Sequence, residues 1–299
     1  MQSTAASATA TAAALQAKFD LVAKGYAIID NVITEAQVAT AKEYFKDWLS
    51  TNPQITEKHK KNDPHGIFKF GQAGHQRHAW YLRTLDEVQA PFRAIWETNE
   101  LTTGFDGSCW IPSDQKSKDR IWTHTDQAPD TKGLACVQGF VALTSNEERT
   151  LVVYEGSHLL HETYMKEKNI TGKKNWLLID HDYLERIADS KRVLKVSAGS
   201  LVLWDSRTFH QNQYGQIGEE RIVQYICMLP KNHPQNTAAQ QKKRRKYFED
   251  RRTTSHWPYS LHVNGVQPQT YGDTTRLLDY TQLTPPKLDE FAEKIERLL

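Results

Sequence analysis

The stretch Ile121-Trp122-Thr123-His124-Thr125-Asp126-Gln127 has the apolar, β-branched character of a strand and carries a histidine and an aspartate two residues apart. Side chains alternate along a strand, so positions i and i+2 point to one face. An imidazole and a carboxylate side by side on the inner wall of a barrel can bind one cation. The pair is a weak signal by itself, because chance alone yields roughly 0.7 such pairs in a chain of this composition.

A second segment strengthens it. Leu201-Val202-Leu203-Trp204-Asp205-Ser206-Arg207-Thr208-Phe209-His210 is a strand-like run that ends in a histidine. Two histidines and one carboxylate are the donor set of a non-haem Fe(II) oxygenase, which leaves the remaining coordination positions open. A bidentate 2-oxo acid and O₂ need those positions, and a fourth protein ligand would block them. The third element is Arg221, eleven residues after His210. Residues 211–220 are polar and contain two glycines, which reads as a hairpin turn. The run Arg221-Ile222-Val223-Gln224-Tyr225-Ile226-Cys227 is apolar on both faces and therefore expected to be buried. A buried arginine needs an anionic partner. The distal carboxylate of 2-oxoglutarate would serve, since guanidinium binds carboxylate bidentately. An internal salt bridge to Glu219 or Asp205 is the competing explanation.

Outward from these segments the chain reads as helices before and after a β-rich centre. Strands are expected around 105–111, 119–124, 134–144, 150–154, 192–196, 200–205 and 221–229, bounded by turn residues. Many short strands with one partly helical insertion at 157–191 suggest a sandwich or jelly roll. Helical spacing covers 13–24, 35–50, 84–97, 238–252 and 287–298. Thr34 followed by Glu35 and Ala36 is a helix start. Residues 52–66, polar with two prolines, read as a loop. The fold class is therefore α+β, organised as a disordered tail over 1–18 and a single domain over 19–299, with its β-core at about 104–230.

Composition sets the remaining bounds. The chain has 299 residues, near the upper end for one hydrophobic core, and eight Trp with twelve Tyr exclude general disorder. A net charge of +2 is too small to argue for nucleic acid. The three cysteines have no disulfide or zinc spacing, and Cys136 and Cys227 sit in apolar runs as buried thiols. No apolar run is long enough to span a membrane. The N-terminus lacks a secretory pattern and contains no Arg, and the C-terminus lacks the peroxisomal address, so the expected location is cytoplasmic.

The combination of HxD, a distant strand-end His and an Arg eleven residues on resembles the phytanoyl-CoA dioxygenase family of Fe(II)/2-oxoglutarate-dependent oxygenases. The likeness runs over about 65–260, through WYLRT (80–84), GFDG (104–107), HTDQ (124–127), CVQGFVAL (136–143), EGSH (155–158), WDSRTFHQN (204–212) and the Arg221 strand. It implies a double-stranded β-helix (jelly-roll, cupin-like) core with flanking helices. It also implies Fe(II) on His124, Asp126 and His210, 2-oxoglutarate as cosubstrate on Arg221, and O₂ as oxidant. A halogenase would lack the carboxylate, so the presence of Asp126 favours hydroxylation of an unactivated C–H, with release of succinate and CO₂. The resemblance does not name the substrate; a small molecule or lipid-like acid is expected, and nucleic acid is not. Two other readings stay open: a zinc enzyme on a cupin-like barrel, since the same donors suit Zn²⁺, and a non-catalytic scaffold that binds nucleic acid through Lys242-Lys243-Arg244-Arg245-Lys246.

Further candidates follow from position. Gln138 and Phe140 alternate onto one face and could line the 2-oxoglutarate pocket. Arg83, Trp80 and Trp122 are candidate substrate contacts, a cation beside aromatics being suited to an anionic or planar ligand. His158 reads as structural or substrate-side, and His75, His78, His161 and His181 as surface residues.

Overall fold

The computed structural model describes residues 2–62, 65–116, 119–263, 266–268, 270 and 272–299. The N-terminal part comprises α1 (Gln2–Lys24), β1 (Tyr26–Ile29), α2 (Glu35–Thr51), α3 (Pro53–Asn62), α4 (Arg77–Arg83) and α5 (Asp86–Trp96). The β-rich centre contains β2 (Leu101–Thr103), β3 (Ser108–Ile111), β4 (His124–Thr125), β5 (Val137–Ala142) and β6 (Leu151–Tyr154). The insertion follows, with α6 (Ser157–Glu167), β7 (Leu177–Leu178), α7 (His181–Arg186) and β8 (Lys191–Val193). Then come β9 (Leu201–Asp205), β10 (His210–Asn212), β11 (Arg221–Pro230), α8 (Ala238–Glu249) and α9 (Ala292–Leu298).

The strands form two antiparallel sheets. The larger has the order β1-β9-β5-β11-β2, with β3 also paired to β11, and the smaller the order β7-β4-β10-β6-β8. Their inner faces meet in one apolar cluster that takes Phe140 and Trp204 from the larger sheet and Leu151 and Val153 from the smaller. The outer face of the larger sheet is covered by helices, with Phe45, Trp48, Trp80 and Phe92 packed on Leu201, Leu203 and Ile226. β5, β9 and β11 are thus buried on both faces, which is why they read as continuous apolar runs.

Several expectations are corrected. Where a disordered tail was expected over 1–18, α1 is helical from Gln2, and Ala14 and Ala17 are buried against the core because small side chains let the helix approach closely. Residues 52–66 are not a loop throughout, since α3 begins at Pro53, a residue pre-set for the first helical turn, and buries Ile55 completely. Residues 211–220 do not form a hairpin. They cross from β10 in one sheet to β11 in the other, and buried Arg149 holds the crossing by donating to the carbonyls of Tyr214, Gln216 and Glu219 at 2.6–2.9 Å. The start of α2 is as expected: Thr34 Oγ1 accepts from Gln37 N–H at 3.2 Å, and Gln37 Oε1 accepts from Thr34 N–H at 2.8 Å. β1 escaped the strand pattern because it is short. The turn before it needs Gly25 (φ +85°), where any Cβ would strike the His158 ring.

His75, His78 and His161 are not surface residues. All three are fully buried, their Nε2 atoms bonded to the Arg252 carbonyl, the Ser108 hydroxyl and the Gln127 carbonyl at 2.9–3.0 Å. Their sequence surroundings gave no periodicity that distinguishes a satisfied core histidine from an exposed one. Burial lowers the pKa of His78 to about 3. Its folded pKa is depressed below the ordinary 6.5, so its stabilising contribution is full above pH 6.5 and is lost as pH falls toward 3. His78→Gln should therefore flatten the pH dependence of unfolding free energy between pH 6.5 and 4.5, by about 1.4 kcal/mol per pH unit. Urea unfolding at several pH values measures this, and parallel curves for the two proteins would refute it.

Candidate active site

β4 and β10 are neighbours in the smaller sheet, and His124 and His210 are direct partners across the pair. Their rings lie 4.4 Å apart between centroids. Asp126 follows β4 and is held by its backbone N–H on the Ser206 carbonyl at 2.9 Å. Its Oδ2 lies 3.5 Å from His124 Nε2 and 3.2 Å from His210 Nε2. The three donor atoms fall within 4.8 Å of one another, and all three residues are buried. Both imidazoles have their other nitrogen beside a backbone carbonyl: His124 Nδ1 with Trp122 at 3.2 Å and His210 Nδ1 with Thr208 at 2.9 Å. That arrangement places the N–H on Nδ1 and turns the Nε2 lone pair inward, as metal-binding histidines require. Burial depresses the His124 pKa, which keeps the ring neutral. Burial would raise the Asp126 pKa, but the imidazoles of His124, His256 and His210 around it outweigh burial and hold the carboxyl well below the usual range.

Arg221 opens β11, opposite Ile111, and is 1% exposed. The two acids that might have paired with it are engaged elsewhere. Glu219 accepts from the backbone N–H groups of Glu147, Glu148 and Arg149, and Asp205 forks onto Arg207. Among the described residues, Arg221 Nη1 meets the Cys109 thiol at 3.7 Å and Nη2 has no hydrogen-bond partner. Its guanidinium sits 5.3 Å from the Phe140 ring centre. Buried Arg149, by contrast, has all its nitrogens on carbonyls. A buried guanidinium left open in this way suits an anion, and the donor set of the triad suits a divalent metal.

A cavity of about 730 Å³ opens beside the triad, walled by Trp122, Trp176, Trp204, Tyr225 and Trp257 among others. Arg221 is not in its wall.

The sequence matches the family model of phytanoyl-CoA dioxygenase over residues 21–213. The chain belongs to the phytanoyl-CoA dioxygenase family. A curated relative, Ava biosynthesis cluster protein O of Aspergillus versicolor, is 32% identical over 211 residues, spanning 65% of this chain and 67% of the relative. Among solved structures, the epimerase SnoN in complex with Fe³⁺, alpha ketoglutarate and nogalamycin RO superposes with a TM-score of 0.53 at 18% identity, covering 73% of this chain and 84% of that one. EctD from S. alaskensis with 2-oxoglutarate and 5-hydroxyectoine gives 0.51 at 14% identity, over 72% and 75%. These likenesses establish a shared fold. The family match begins earlier than the resemblance read from the sequence and ends before Arg221.

Within this phytanoyl-CoA dioxygenase family member, the other candidates divide. Trp122 does line the cavity, stacked on His124 at 4.9 Å, with its indole N–H on the Asn212 carbonyl at 3.1 Å. Trp80 and Arg83 are corrected: both are fully buried in the helical layer and neither lines the cavity. Arg83 instead donates to the carbonyls of Gly74 and Asp106 at 2.5 and 2.7 Å, fixing the GFDG segment. His158 is structural, its Nε2 on the Val22 carbonyl at 3.0 Å. The basic run is absorbed into the fold only in part: Arg244 is fully buried and Lys243 donates to the Leu261 carbonyl, whereas Lys242, Arg245 and Lys246 are exposed, Arg245 pairing with Glu296 and Lys246 with Asp250. Sequence reasoning missed Asp106 and the 253–262 segment, both part of the cavity wall; GFDG stood out only as a family motif.

Gln138 lines the cavity, but its amide donates to Asp126 Oδ2 at 3.0 Å rather than reaching toward Arg221. It therefore orients the carboxylate. Gln138→Leu should weaken Fe(II) binding by about 10–100-fold, the usual cost of an outer-shell partner. Anaerobic Fe(II) titration checks this, and wild-type affinity in the variant would remove Gln138 from that role.

Proposed function

We propose that this chain is an Fe(II)/2-oxoglutarate-dependent dioxygenase that hydroxylates an unactivated C–H of a small-molecule substrate. His124, Asp126 and His210 hold the iron, and Arg221 receives the distal carboxylate of 2-oxoglutarate. The observation that carries this reading is the pairing of an inward-facing two-histidine, one-carboxylate set with a buried guanidinium that has no anionic partner among the described residues. When bound, the iron supplies, with 2-oxoglutarate and O₂, the oxidising power to break the C–H bond, while 2-oxoglutarate leaves as succinate and CO₂. The chain's own residues position and exclude. The backbone carbonyls behind both histidines fix the ring orientation, Gln138 fixes the carboxylate, and the tryptophan walls keep water from the reacting bond. The cavity volume falls in the range of small-molecule sites, roughly 300–1,000 Å³.

A single domain over 19–299 carries this chemistry on a double-stranded β-helix core in this proposal, with α1 packed onto it. A zinc site would use the same three donors but would leave the Arg221 guanidinium without a purpose. Anaerobic addition of Fe(II) and 2-oxoglutarate tests the proposal. A weak visible absorption band from the iron chelate, followed by succinate release on admission of O₂, is the expected result. No band in protein shown by metal analysis to hold iron would overturn it.

A further inference from the structure

Part of the cavity wall near the triad is built from two pieces that the metal chemistry leaves unexplained. One is the GFDG segment at 104–107. The other is the segment 253–262, which follows α8 and lies outside the matched residues. They are laced together. Thr254 N–H donates to the Phe105 carbonyl at 2.9 Å, and Phe105 N–H donates to Thr254 Oγ1 at 3.0 Å. A Cβ on Gly104 would lie 3.0 Å from the Ser255 carbonyl oxygen, so glycine suits this close approach. Arg244, from the basic run, nails the segment down by donating to the Pro258 carbonyl at 2.7 Å.

Ser255 Oγ, His256 Nε2 and Trp257 Nε1 are buried with no hydrogen-bond partner among the described residues, and all three residues line the cavity. Asp106 lines it as well. Its backbone carbonyl is taken by Arg83 and Gln224, but its carboxyl has no hydrogen bond or ion pair among the described residues. Burial pushes the Asp106 pKa up to about 7, against the downward pull of the buried Arg83 guanidinium. Asp106 is only partly buried, and the one cation acting on its carboxyl, Arg83, is bonded to backbone carbonyls, so a cationic ligand in the cavity can complete it. Trp122, Trp176 and Trp257 line the same cavity and suit an apolar body. The lysines of the lining, Lys69, Lys173 and Lys174, are solvent-exposed, where water and salt screen them.

We propose that Asp106 and the 253–262 segment form the substrate-recognition wall of this cavity, and that they select a protonated amine carried on an apolar body the size of one or a few rings. This deepens the proposed oxygenase reading and rests on it for the place of the reacting bond. The amine pairs with Asp106, Ser255 and His256 offer further polar contacts, and the aromatic walls hold the body beside the triad.

The test uses three probes that share a phenylethyl body: the near-isosteric pair 2-phenylethylamine and 2-phenylethanol, and the anionic 3-phenylpropionate. Each is titrated calorimetrically into the full chain under anaerobic Fe(II) and 2-oxoglutarate, so that Asp126 is not free to bind the amine. The amine should bind at least about tenfold more tightly than the alcohol, as expected for a charge-assisted pair, and the acid most weakly. Asp106→Asn, which preserves shape, should abolish the tenfold preference while leaving the visible iron–2-oxoglutarate band intact. No saturable binding of the amine to wild type, equal binding of amine and alcohol, or tighter binding of the acid would each overturn the proposal. So would an unchanged preference in Asp106→Asn. The ranking in wild type does not depend on how the variant folds. A normal band with no amine preference defeats only the amine site, whereas amine preference without a band defeats only the oxygenase reading.

Discussion

Asp126→Ala should abolish the visible band that Fe(II) and 2-oxoglutarate produce in the wild type and should lower succinate release by more than about 100-fold. Loss of an outer-shell partner costs about 10–100-fold in metal affinity or activity, and loss of a ligand must cost more. The carboxylate is also the only negative charge among the three donors, so its removal leaves two neutral imidazoles facing each other. The variant should nonetheless fold. The backbone N–H of residue 126 keeps its bond to the Ser206 carbonyl, and no charged partner is stranded, because burial keeps His124 neutral. A circular-dichroism melt close to that of the wild type, with the band gone, is the expected pair of results. A band of wild-type intensity in Asp126→Ala would remove Asp126 from the metal site.

The donor types of the triad and the i, i+2 spacing of His124 and Asp126 were legible in the sequence. The strand-end reading of His210 was not: the apolar run ends as β9 at Asp205, and after a turn His210 opens β10 in the other sheet, while Asp126 lies just past the end of β4. The direct pairing of His210 with His124 was not legible, because strand order is set by long-range hydrogen bonding that no short window encodes. The same limit explains Arg83. Its neighbourhood of aromatics looked like a ligand site, yet the Gly74 and Asp106 carbonyls it serves are brought to it only by the tertiary fold. The basic run at 242–246 misled in a similar way. Nothing local distinguishes Arg244, whose acceptors Asn236, Pro258 and Leu299 come from three different segments, from an exposed helix-face cation. The 253–262 wall has no periodic pattern and contains little regular structure, so its place over the cavity followed from α8 and Arg244 rather than from its own residues.

Arg221→Ala should retain iron yet require at least about 30-fold more 2-oxoglutarate for half-maximal succinate release. Truncating one partner of a buried charge pair costs about 2–5 kcal/mol, and the lower figure already corresponds to that factor. Arg221→Lys should recover only part of the loss, since an ammonium cannot reproduce the two-pronged contact of guanidinium with carboxylate. The stability of the ligand-free protein provides an independent check. Arg221 Nη2 has no partner, so Arg221→Met removes an uncompensated charge from the apolar cluster formed by Phe140, Val223 and their neighbours. Such replacements are often neutral or stabilising, and the melting temperature of the ligand-free variant should equal or exceed that of the wild type. With 2-oxoglutarate at about 100 times its dissociation constant, wild type should gain roughly 2.7 kcal/mol, a gain the variant should not show. The open cavity ends short of Arg221, with Phe140 beside the guanidinium and Tyr225 in the wall, so binding requires those rings to shift. An unchanged 2-oxoglutarate requirement in Arg221→Ala would place the distal carboxylate elsewhere in the cavity and leave Arg221 as a structural residue.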